Sequence, residues 1–374
     1  MSTVLFAGGG TGGHIFPGIA VAEALRERRG GRGFINTGFL CSERPGDSRI
    51  LEAQGERFWR VPARPFGLSP RTLFTFVRGW GASVKACRVV IRGVRADGPV
   101  VLAAMGGFVA APAARAAVLE GCPILLINLD AVAGRANRWI AGRATRVLTT
   151  AGGEGGRVHW TGIRPIVRKS ARAPMSREDC KLSWGLSPDA PTLLVTGASL
   201  GAQTINEFLG AFVQAHGAEL RLWGWQFIHQ TGGDEATVAE MKKKYEAARL
   251  NCAVVSFSPD MGRLWGAADA AVSRAGAGNV AEVWANRVPT LFMPYPFHAD
   301  EHQRLNAVPL EAAGAAELGR DEIDAAKNLK GVGPVLLEMM SSAEIRTQMR
   351  QNFERLGDTD GAEIAAEFAR ELLL

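Results

Sequence analysis

Two segments of this chain share one local pattern, in which an apolar strand runs into a glycine-rich turn and then into a helix. "VLFAGGGTGG" begins at Val4 and "LLVTGASLGA" begins at Leu193, and they superpose without a gap, so that Gly8 lies on Gly197. A strand, a glycine-rich turn and a helix together open a nucleotide-binding α/β half. Because the pattern occurs twice, the sequence predicts two Rossmann-like domains.

Short apolar runs alternate with helical periodicity through both halves. "PVVLAAM", "PILLIN" and "RVLTT" follow the first segment, and "QFIHQTG", "AVVSF" and "PTLFMPY" follow the second. This rhythm predicts an α/β protein with parallel sheets covered by helices on both faces. The Gly-, Arg- and Pro-rich segment 150–174 is typical of a linker. We therefore place the first domain at 1–163 and the second at 164–374, with two amphipathic C-terminal helices closing the second domain.

The composition excludes several classes of protein. The 374 residues include five scattered cysteines without a C-x-x-C pair, which argues against a disulfide framework or a zinc site and favours reduced thiols. The apolar run "TVLFA" is too short for a signal peptide. No apolar run approaches the roughly 18 residues that suggest a membrane span. The sequence predicts a cytoplasmic protein.

The net charge of +6 is unevenly distributed. Residues 57–95 contain nine basic residues and no Asp or Glu, and aromatic and aliphatic side chains interleave them. This pattern favours contact with an anionic membrane surface. A solvated helix face with some buried aromatic residues is the competing interpretation. A nucleic-acid patch is the weakest one, and we expect no nucleic-acid partner. The apolar residues are Phe66, Leu68, Leu73, Phe74, Phe76 and Trp80.

The opening turn offers a backbone suited to phosphate. Gly8, Gly10 and Gly13 match G-x-G-x-x-G between a strand and a helix, for which Pro17 suits the first turn. Glycines let the backbone approach phosphate, and a helix N-terminus supplies N–H donors. A dehydrogenase also needs an acidic residue about 20 positions further on to hold ribose. The region before Glu43 lacks one, which counts against NAD.

His14 lies where this turn meets the helix. A helix N-terminus disfavours the imidazolium form, so the neutral ring can accept a proton. His14 is therefore a candidate general base for a transfer reaction. The structural alternative is a hydrogen bond from its ring to a loop carbonyl.

A second cluster of polar residues follows the strand "AAVS". Asn279 and Glu282 stand three residues apart, which fits a helix capping box. The alternative is that the Glu282 carboxylate accepts two ribose hydroxyls. The loop "HADEHQRLN" gathers histidines and acids, but it lacks the H-x-x-x-H spacing of a metal-binding helix, and we expect no metal. Its candidate residues are His298, Asp300, Glu301, His302 and Gln303.

Several motifs together resemble one enzyme family. They are "GGGTGGHIFPGIAVAEAL", "MGGFVAAPAARAA", "AVAGRANRW", "GASLGAQTIN", "HQTG", "FSPDM", "SRAGAGNVAE" and "DEHQRLNAVPLEAAGAA". The chain resembles, nearly end to end, the MurG family of UDP-N-acetylglucosamine:lipid I N-acetylglucosaminyltransferases of peptidoglycan synthesis. These are GT-B glycosyltransferases of family 28. The resemblance implies two Rossmann-like domains whose parallel sheets face a central cleft, with UDP-GlcNAc held mostly by the C-terminal half.

The resemblance also implies roles for residues that match the family's motifs. Those facing the acceptor and diphosphate are Thr11, Gly12, Gly13 and His14. Those on the donor side are Ser199, Ala277, Gly278, Asn279, Val280, Ala281, Glu282, Gln303 and Asn306. Glu282 matches the ribose-binding glutamate. The family's membrane-facing patch lies on the N-terminal half, as does segment 57–95.

The chain departs from the family near the sugar end of the site. "INLD" replaces H-E-Q-N, which puts Asp130 at the asparagine that contacts the donor sugar, and "AGAGNV" replaces S-G-A-L-T-V. The family arginine matches either Arg164 or Arg168, with a weak preference for Arg164. These changes leave the nucleotide-binding logic intact and leave the exact sugar and acceptor open.

The resemblance implies an inverting transfer of GlcNAc from UDP-GlcNAc to the 4-hydroxyl of the muramyl sugar of lipid I. This undecaprenyl-linked acceptor implies a peripheral enzyme at the cytoplasmic face of the inner membrane. We expect no cofactor and no metal, with His14 and Glu282 as the central side chains. Two alternatives remain. One is a related GT-B enzyme with another sugar or lipid acceptor, and the other is a catalytically silent, membrane-docked UDP-sugar-binding protein.

Overall fold

The computed structural model of the chain describes residues 1–10, 12–27, 34–67, 69–151, 158–197, 203–297 and 300–374. The chain divides into two compact units. Unit 1 comprises Met1–Arg168 and Asp360–Leu374, and unit 2 comprises Lys169–Thr359. Each unit is an α/β layer structure built on one parallel sheet, which confirms the predicted fold class.

Unit 1 carries a seven-stranded sheet in the order β3-β2-β1-β4-β5-β6-β7. Its elements are β1 (Thr3–Ala7), α1 (Gly12–Arg26), β2 (Asn36–Ser42), α2 (Pro45–Ala53), β3 (Phe58–Val61), α3 (Pro70–Arg95), β4 (Val100–Ala104), α4 (Gly107–Leu119), β5 (Ile124–Asn128), α5 (Arg135–Ala141), β6 (Arg146–Thr149) and β7 (Thr161–Gly162). Every residue of β1, β4 and β5 is buried. Helices cover both faces of such a sheet, so its central strands are buried on both faces and mostly apolar rather than alternating.

Unit 2 carries a six-stranded sheet in the order β10-β9-β8-β11-β12-β13. After a 3₁₀ turn at Lys169–Ala171, its elements are α6 (Arg177–Ser183), β8 (Thr192–Thr196), α7 (Gln203–Leu222), β9 (Gln226–Gln230), α8 (Glu235–Ala247), β10 (Cys252–Val255), α9 (Met261–Ala267), β11 (Ala270–Ser273), α10 (Ala277–Asn286), β12 (Thr290–Phe292), α11 (His302–Ala312), β13 (Ala316–Leu318), α12 (Ala325–Gly331), α13 (Gly333–Ser341) and α14 (Ala343–Leu356). The central strands β8 and β9 are buried at every residue.

Each sheet has one point at which the strand order reverses direction. In unit 1, β1 pairs with β2 on one side and β4 on the other. In unit 2, β8 pairs with β9 and β11 in the same way. In open α/β sheets, ligands bind in the crevice outside the carboxyl ends of the strands at this point. The topology therefore directs attention to the turns after β1, β4, β8 and β11.

The last helix, α15 (Gly361–Glu371), returns to unit 1. Its alanine face shares a buried cluster with α1, and Arg370 donates a hydrogen bond from Nη2 to the Ala24 carbonyl at 2.9 Å. The structural division therefore differs from the predicted boundary, because 164–168 and 360–374 belong with unit 1. The small side chains of α15 let it pack closely on α1, and nothing local in the sequence identifies that distant partner.

None of the described helices combines the length and the apolarity that crossing a membrane requires.

Candidate functional site

The helix after the first glycine-rich turn begins earlier than expected. α1 starts at Gly12, and Pro17 lies inside it, so the predicted helix start near Pro17 is wrong. His14 is consequently part of the first helical turn. Gly12 and Gly13 belong to that turn as well, and the first backbone N–H groups of a helix have no partner within the helix. The structure thus places three of the predicted residues at one helix N-terminus.

The His14 ring lies against Gly106, which precedes α4, and against Gly107, the first residue of that helix. A Cβ atom at Gly106 would lie 3.0 Å from His14 Cδ2, and one at Gly107 would lie 3.3 Å from Nδ1. The two glycines also have positive φ angles, 99° and 75°, which residues other than glycine rarely adopt. They allow the imidazole to sit directly on this turn. Both glycines belong to the motif "MGGFVAAPAARAA", whose resemblance to the family does not by itself indicate a contact with His14.

Burial lowers the pKa of His14, while the negative charges of Asp130 and Asp47 partly oppose that shift. The ring is therefore held neutral, as the position at a helix N-terminus also favours. Nδ1 is buried and has no hydrogen-bond partner among the described residues. The alternative of a loop hydrogen bond is thus not met at Nδ1. A neutral imidazole can accept a proton.

A buried carboxylate that the sequence analysis did not single out holds the glycine-rich turn. Asp47, at the start of α2, is 2% exposed. Its Oδ2 accepts hydrogen bonds from Gly10 N (2.8 Å), Ser42 N (3.2 Å) and Ser42 Oγ (2.6 Å). The Gly10 N–H that a phosphate-binding turn would offer to a ligand is therefore occupied by the protein's own carboxylate.

The carboxyl end of β5 brings Asp130 to the same end of the sheet. Asn128 donates from Nδ2 to the Asp130 carbonyl at 2.8 Å and accepts at Oδ1 from Asn137 Nδ2 at 2.9 Å. This buried amide pair fixes the loop that carries Asp130. The negative charge of Asp130 acts to raise the pKa of His14.

The structure separates the two candidate arginines. The Arg168 guanidinium lies 4.0 Å from the centre of the Phe16 ring on α1, and the residue is 5% exposed. Arg164 is exposed, and its carbonyl packs against Gly361. Arg168 is therefore the arginine beside the first turns of α1, and which of the two matches the family arginine remains a prediction.

In unit 2, α10 begins at Ala277 with Gly276 as its N-cap. Asn279 is the third helical residue, and its Nδ2 donates to Ser273 Oγ (3.0 Å) and to the Arg274 carbonyl (3.2 Å). The predicted capping box is therefore wrong. The Glu282 carboxylate instead accepts a hydrogen bond at 2.7 Å from Nε1 of Trp265, a residue that is 1% exposed. A buried indole thus orients this carboxylate, and its proposed contact with ribose remains a prediction.

The first residues of α10 differ in what they present. The first helical hydrogen bond is donated by Val280 N to Gly276 O at 3.0 Å, so the N–H groups of Ala277, Gly278 and Asn279 precede it. Val280 and Ala281 are 7% and 6% exposed. This N-terminus offers backbone donors, while its next two side chains pack inward.

Gln303 and Asn306 reach the same edge of the unit 2 sheet from α11. Gln303 accepts at Oε1 from Tyr295 N at 2.9 Å, and Asn306 donates from Nδ2 to the Ala275 carbonyl at 3.2 Å. These contacts lie just beyond the carboxyl ends of β11 and β12. The pair therefore fixes the loops around the start of α10, and the hydrogen bonds do not identify a sugar contact.

A buried ion pair that the sequence analysis missed lies beneath this region. Arg274, directly after β11, is 3% exposed and donates to Asp321 Oδ2 at 2.8 Å and to Thr204 Oγ1 at 2.6 Å. Burial lowers the pKa of Arg274 despite the opposing effect of Asp321. The ion pair ties the end of β11 to the loop after β13, and the hydrogen bond to Thr204 ties it to α7, the helix that follows the second glycine-rich segment.

Four residues named from the sequence, Thr11, Leu68, Ser199 and His298, lie outside the described residues. In the rest of the loop before α11, His302 Nδ1 contacts Asp300 Oδ1 at 2.7 Å. The part of the chain that the structure describes contains no group of three or more His, Cys, Asp or Glu side chains arranged to hold a metal ion. The independence from metals remains a prediction.

Segment 57–95 contains a helix whose two ends differ. Residues 70–75, 77 and 78 of α3 are all exposed, and its buried face begins only at Ser83. Leu73, Phe74 and Val77 are 42%, 63% and 63% exposed. Behind them, aromatic rings form the series Phe66, Phe76, Trp80 and Trp139, with centroid separations of 5.3, 5.4 and 6.1 Å. Unit 1 therefore exposes apolar side chains at the N-terminal end of α3, next to a series of contacting aromatic rings.

Comparisons with known proteins cover both units. Residues 4–149 match the glycosyltransferase family 28 N-terminal domain, and residues 192–364 match the glycosyltransferase family 28 C-terminal domain.

Two curated relatives carry the name UDP-N-acetylglucosamine--N-acetylmuramyl-(pentapeptide) pyrophosphoryl-undecaprenol N-acetylglucosamine transferase. The protein from Halorhodospira halophila is 33% identical over 373 residues, which span 99% of this chain and 98% of that protein. The protein from Bacteroides fragilis is 31% identical over 375 residues, which span 97% and 94%. The crystal structure of Acinetobacter baumannii MurG has a TM-score of 0.72 at 23% identity and 99% coverage of each chain, which establishes a shared fold.

Proposed function

This chain belongs to glycosyltransferase family 28, and we propose that it transfers GlcNAc from UDP-GlcNAc to the 4-hydroxyl of the muramyl sugar of lipid I. The products are lipid II and UDP, as in peptidoglycan synthesis. The observation that carries the proposal is the 33% identity to a transferase of that name over 99% of this chain. Full-length similarity includes both switch points, so it supports an enzyme with an acceptor side and a donor side.

On the acceptor side, His14 is proposed to act as the general base. In an inverting transfer, the acceptor oxygen attacks the anomeric carbon as the bond to UDP breaks, and the electron pair of that bond leaves with the diphosphate. The hydroxyl proton goes to the imidazole of His14. Burial and the position at a helix N-terminus keep this ring neutral, so that it can accept the proton. Asp130 and Asp47 then stabilise the imidazolium, because their charges raise the pKa of His14.

The donor chemistry belongs to unit 2. The N–H groups at the start of α10 suit the departing diphosphate, because a helix N-terminus carries partial positive charge. The Glu282 carboxylate, oriented by Trp265, is proposed to accept the ribose hydroxyls. Backbone donors and an arginine would then stabilise the leaving group without a metal. A transfer rate that is unchanged by EDTA would support this, and a rate restored only by Mg²⁺ would contradict it.

We also propose that unit 1 docks on an anionic membrane surface at the cytoplasmic face of the inner membrane, where an undecaprenyl-linked acceptor would be met. The exposed Leu73, Phe74 and Val77 would enter the lipid interface, and Arg71 and Arg78 would face its headgroups. The double substitution Phe74→Ser with Val77→Ser should weaken sedimentation with phosphatidylglycerol vesicles by about tenfold or more. Val89→Ser, an equally exposed apolar site farther along α3, is the matched control. Equal losses in both variants would contradict this surface.

A related enzyme with another donor is the second candidate. The specific observation is the loop that carries Asp130, whose sequence "INLD" departs from the family motif and which the hydrogen bonds of Asn128 hold in place. A panel of UDP-GlcNAc, UDP-GalNAc and UDP-glucose discriminates, because the proposed function requires UDP-GlcNAc to be strongly preferred.

The deciding experiment measures UDP release from UDP-GlcNAc with and without a short-chain lipid I analogue. Release that depends on the analogue, together with formation of the disaccharide product, is the expected result. Release at the same rate without the analogue would indicate simple hydrolysis. UDP binding without release from any donor would indicate a silent binding protein.

A further inference from the structure

Asp47 is a buried carboxylate to which the proposed reaction assigns only an electrostatic effect on His14. It is 2% exposed, and among the described residues its hydrogen-bond donors are two backbone amides and one hydroxyl, none of them a cation. Burying an ionised carboxylate is costly unless its oxygens are well hydrogen-bonded. Three uncharged donors therefore bind the negative charge of Asp47, although an uncharged side chain would be less costly to bury at this position.

The hydrogen bond from Gly10 N ties the glycine-rich turn, Gly8–Gly10, to Asp47, and the two hydrogen bonds from Ser42 fix the carboxylate that holds it. Asp47 Oδ2 lies so close that a Cβ atom at Gly9 would be 2.6 Å from it. On the other side, a Cβ atom at Gly10 would lie 2.5 Å from the Phe108 ring of α4. Arg44 completes the enclosure, since its Nη1 donates to the Gly10 carbonyl at 2.8 Å. The turn is thus held between α2 and α4.

The same turn supports His14. A Cβ atom at Gly8 would lie 2.9 Å from the His14 carbonyl oxygen and 3.2 Å from its Cβ. The turn therefore packs directly on the backbone of the first turn of α1. A shift of Gly8–Gly10 would move His14 away from Gly106 and Gly107. The imidazole lies so close to these two residues that a side chain at either position would crowd it.

We infer that Asp47 is a positioning residue for the transfer reaction, whose carboxylate holds Gly8–Gly10 in the conformation that places His14 against Gly106 and Gly107. This inference rests on the proposed function, in which His14 accepts the proton of the acceptor hydroxyl. It also gives the glycine-rich turn a specific meaning. At Gly10 the turn binds an internal anion, so a ligand phosphate would be held elsewhere.

The experiment compares Asp47→Asn with Glu52→Gln, which neutralises an exposed acid on the same helix. Asp47→Asn should lower kcat about tenfold to a hundredfold, because small displacements of a catalytic group have effects of that size. The Kd for UDP and the donor KM should stay at wild-type values, since the donor residues lie in unit 2. Glu52→Gln should leave all these constants unchanged.

The pH profile separates positioning of His14 from a general loss of stability. Asp130 and Asp47 are the charged groups that raise the pKa of His14 against its burial. Asp47→Asn should therefore move the acidic limb of kcat to lower pH. Asp47→Glu retains the charge, so the limb should stay near its wild-type position even where the longer side chain lowers kcat. An unshifted limb in Asp47→Asn would contradict the inference.

A double-mutant cycle with His14→Ala tests the route of the effect. If Asp47 acts through His14, Asp47→Asn should change the residual rate of the His14→Ala enzyme less than twofold. An equal fractional loss in both backgrounds, or a wild-type kcat for Asp47→Asn alone, would overturn the inference. Should Asp47→Asn fail to fold, Ser42→Ala removes one donor and keeps the charge, and it must lower kcat without changing the UDP Kd. Wild-type protein that gives no analogue-dependent UDP release would refute the proposed function itself.

Discussion

The two switch points occupy equivalent places in their sheets and carry different charged groups. At the carboxyl ends of β1 and β4, two carboxylates, Asp47 and Asp130, influence the neutral His14. Near the carboxyl end of β11, the buried cation Arg274 lies beside the start of α10 and is paired with Asp321. A repeated fold therefore does not repeat its chemistry, because function depends on the side chains placed on the shared backbone.

This difference suits two substrates of different kinds. A histidine near carboxylates can receive a proton from a hydroxyl, since the carboxylates stabilise the imidazolium that forms. The N-terminus of α10 suits a diphosphate, and its first-turn backbone N–H groups precede the first helical hydrogen bond. The comparison predicts that substitutions in unit 1 affect the chemical step, while those in unit 2 affect donor binding.

The largest effect is expected for His14→Ala. Removing a general base typically lowers kcat by about 10²–10⁴-fold. UDP affinity, measured by isothermal titration calorimetry, should remain within twofold of wild type, because His14 belongs to unit 1. His159, an exposed histidine of the same unit, supplies the control His159→Ala. Retention of full kcat at saturating donor and acceptor would remove His14 from the role of base.

Arg274→Met tests whether the buried cation is a structural part of unit 2. Breaking a buried ion pair by removing one partner costs about 3–5 kcal/mol, because the other charge stays buried without compensation. Burial by itself would raise the pKa of Asp321, but hydrogen bonds from Thr204, Asn328, the Ile323 backbone and Arg274 outweigh it and lower that pKa. Urea unfolding of unit 2 should show this loss of stability.

Arg263→Met is the matched control, since Arg263 and Asp260 form an exposed pair in the same unit at 3.0 Å. Exposed pairs contribute about 0–1 kcal/mol. The double substitution Arg274→Met with Asp321→Leu should recover part of the stability. Similar losses for Arg274→Met and Arg263→Met would show that burial of the first pair is not what matters.

Glu282→Gln isolates the charge of the donor-side carboxylate. Glutamine retains a side-chain oxygen for the hydrogen bond from Trp265 Nε1, and it loses the negative charge that would accept ribose hydroxyls. Hydrogen bonds to charged groups contribute about 1.5–3 kcal/mol, so the donor KM should rise roughly tenfold to a hundredfold. The kcat at saturating donor should change little, and Glu354→Gln, an exposed acid of unit 2, should have no effect. An unchanged donor KM would contradict the ribose contact.

The sequence predicted the sheets well and the site contacts less well. Strands such as "PILLIN" are buried on both faces, and a continuous apolar run is a strong local signal. The start of α1 was misplaced, because Pro17 favours a first helical turn and the five glycines of segment 8–13 before His14 do not favour a helix. The Asn279 and Glu282 spacing fitted a capping box, but Asn279 faces the preceding strand end instead.

Other site residues left no local signal to read. Asp47 binds Gly10 across 37 positions, and the Arg274 pair with Asp321 spans 47. Arg168 and Arg164 look equivalent in "TGIRPIVR", and only the fold places the former over Phe16. The candidate site thus depends on long-range contacts, whereas the fold class depends on periodicity within each segment.

The smallest expected effect concerns the stability of unit 2 in acid. His229 is fully buried, with Nδ1 2.9 Å from the Tyr245 hydroxyl and Nε2 2.9 Å from Asn206 Oδ1. Burial, with a smaller contribution from Lys244, lowers the pKa of His229 to about 3. The unfolded chain binds a proton below its ordinary pKa of about 6.5, while the folded unit stays unprotonated at this residue.

The stability that His229 confers is therefore complete above the unfolded pKa and is lost as the pH falls from about 6.5 towards 3. At pH 5 the loss amounts to about 2 kcal/mol, from roughly 1.5 pH units of linkage. Urea unfolding of unit 2 at pH 8 and pH 5 measures it, with His229→Gln as the variant that cannot titrate. That variant is less stable at both pH values, yet its decline between them should be smaller by about 2 kcal/mol. An identical decline in wild type and variant would show that the acid sensitivity of unit 2 comes from groups other than His229.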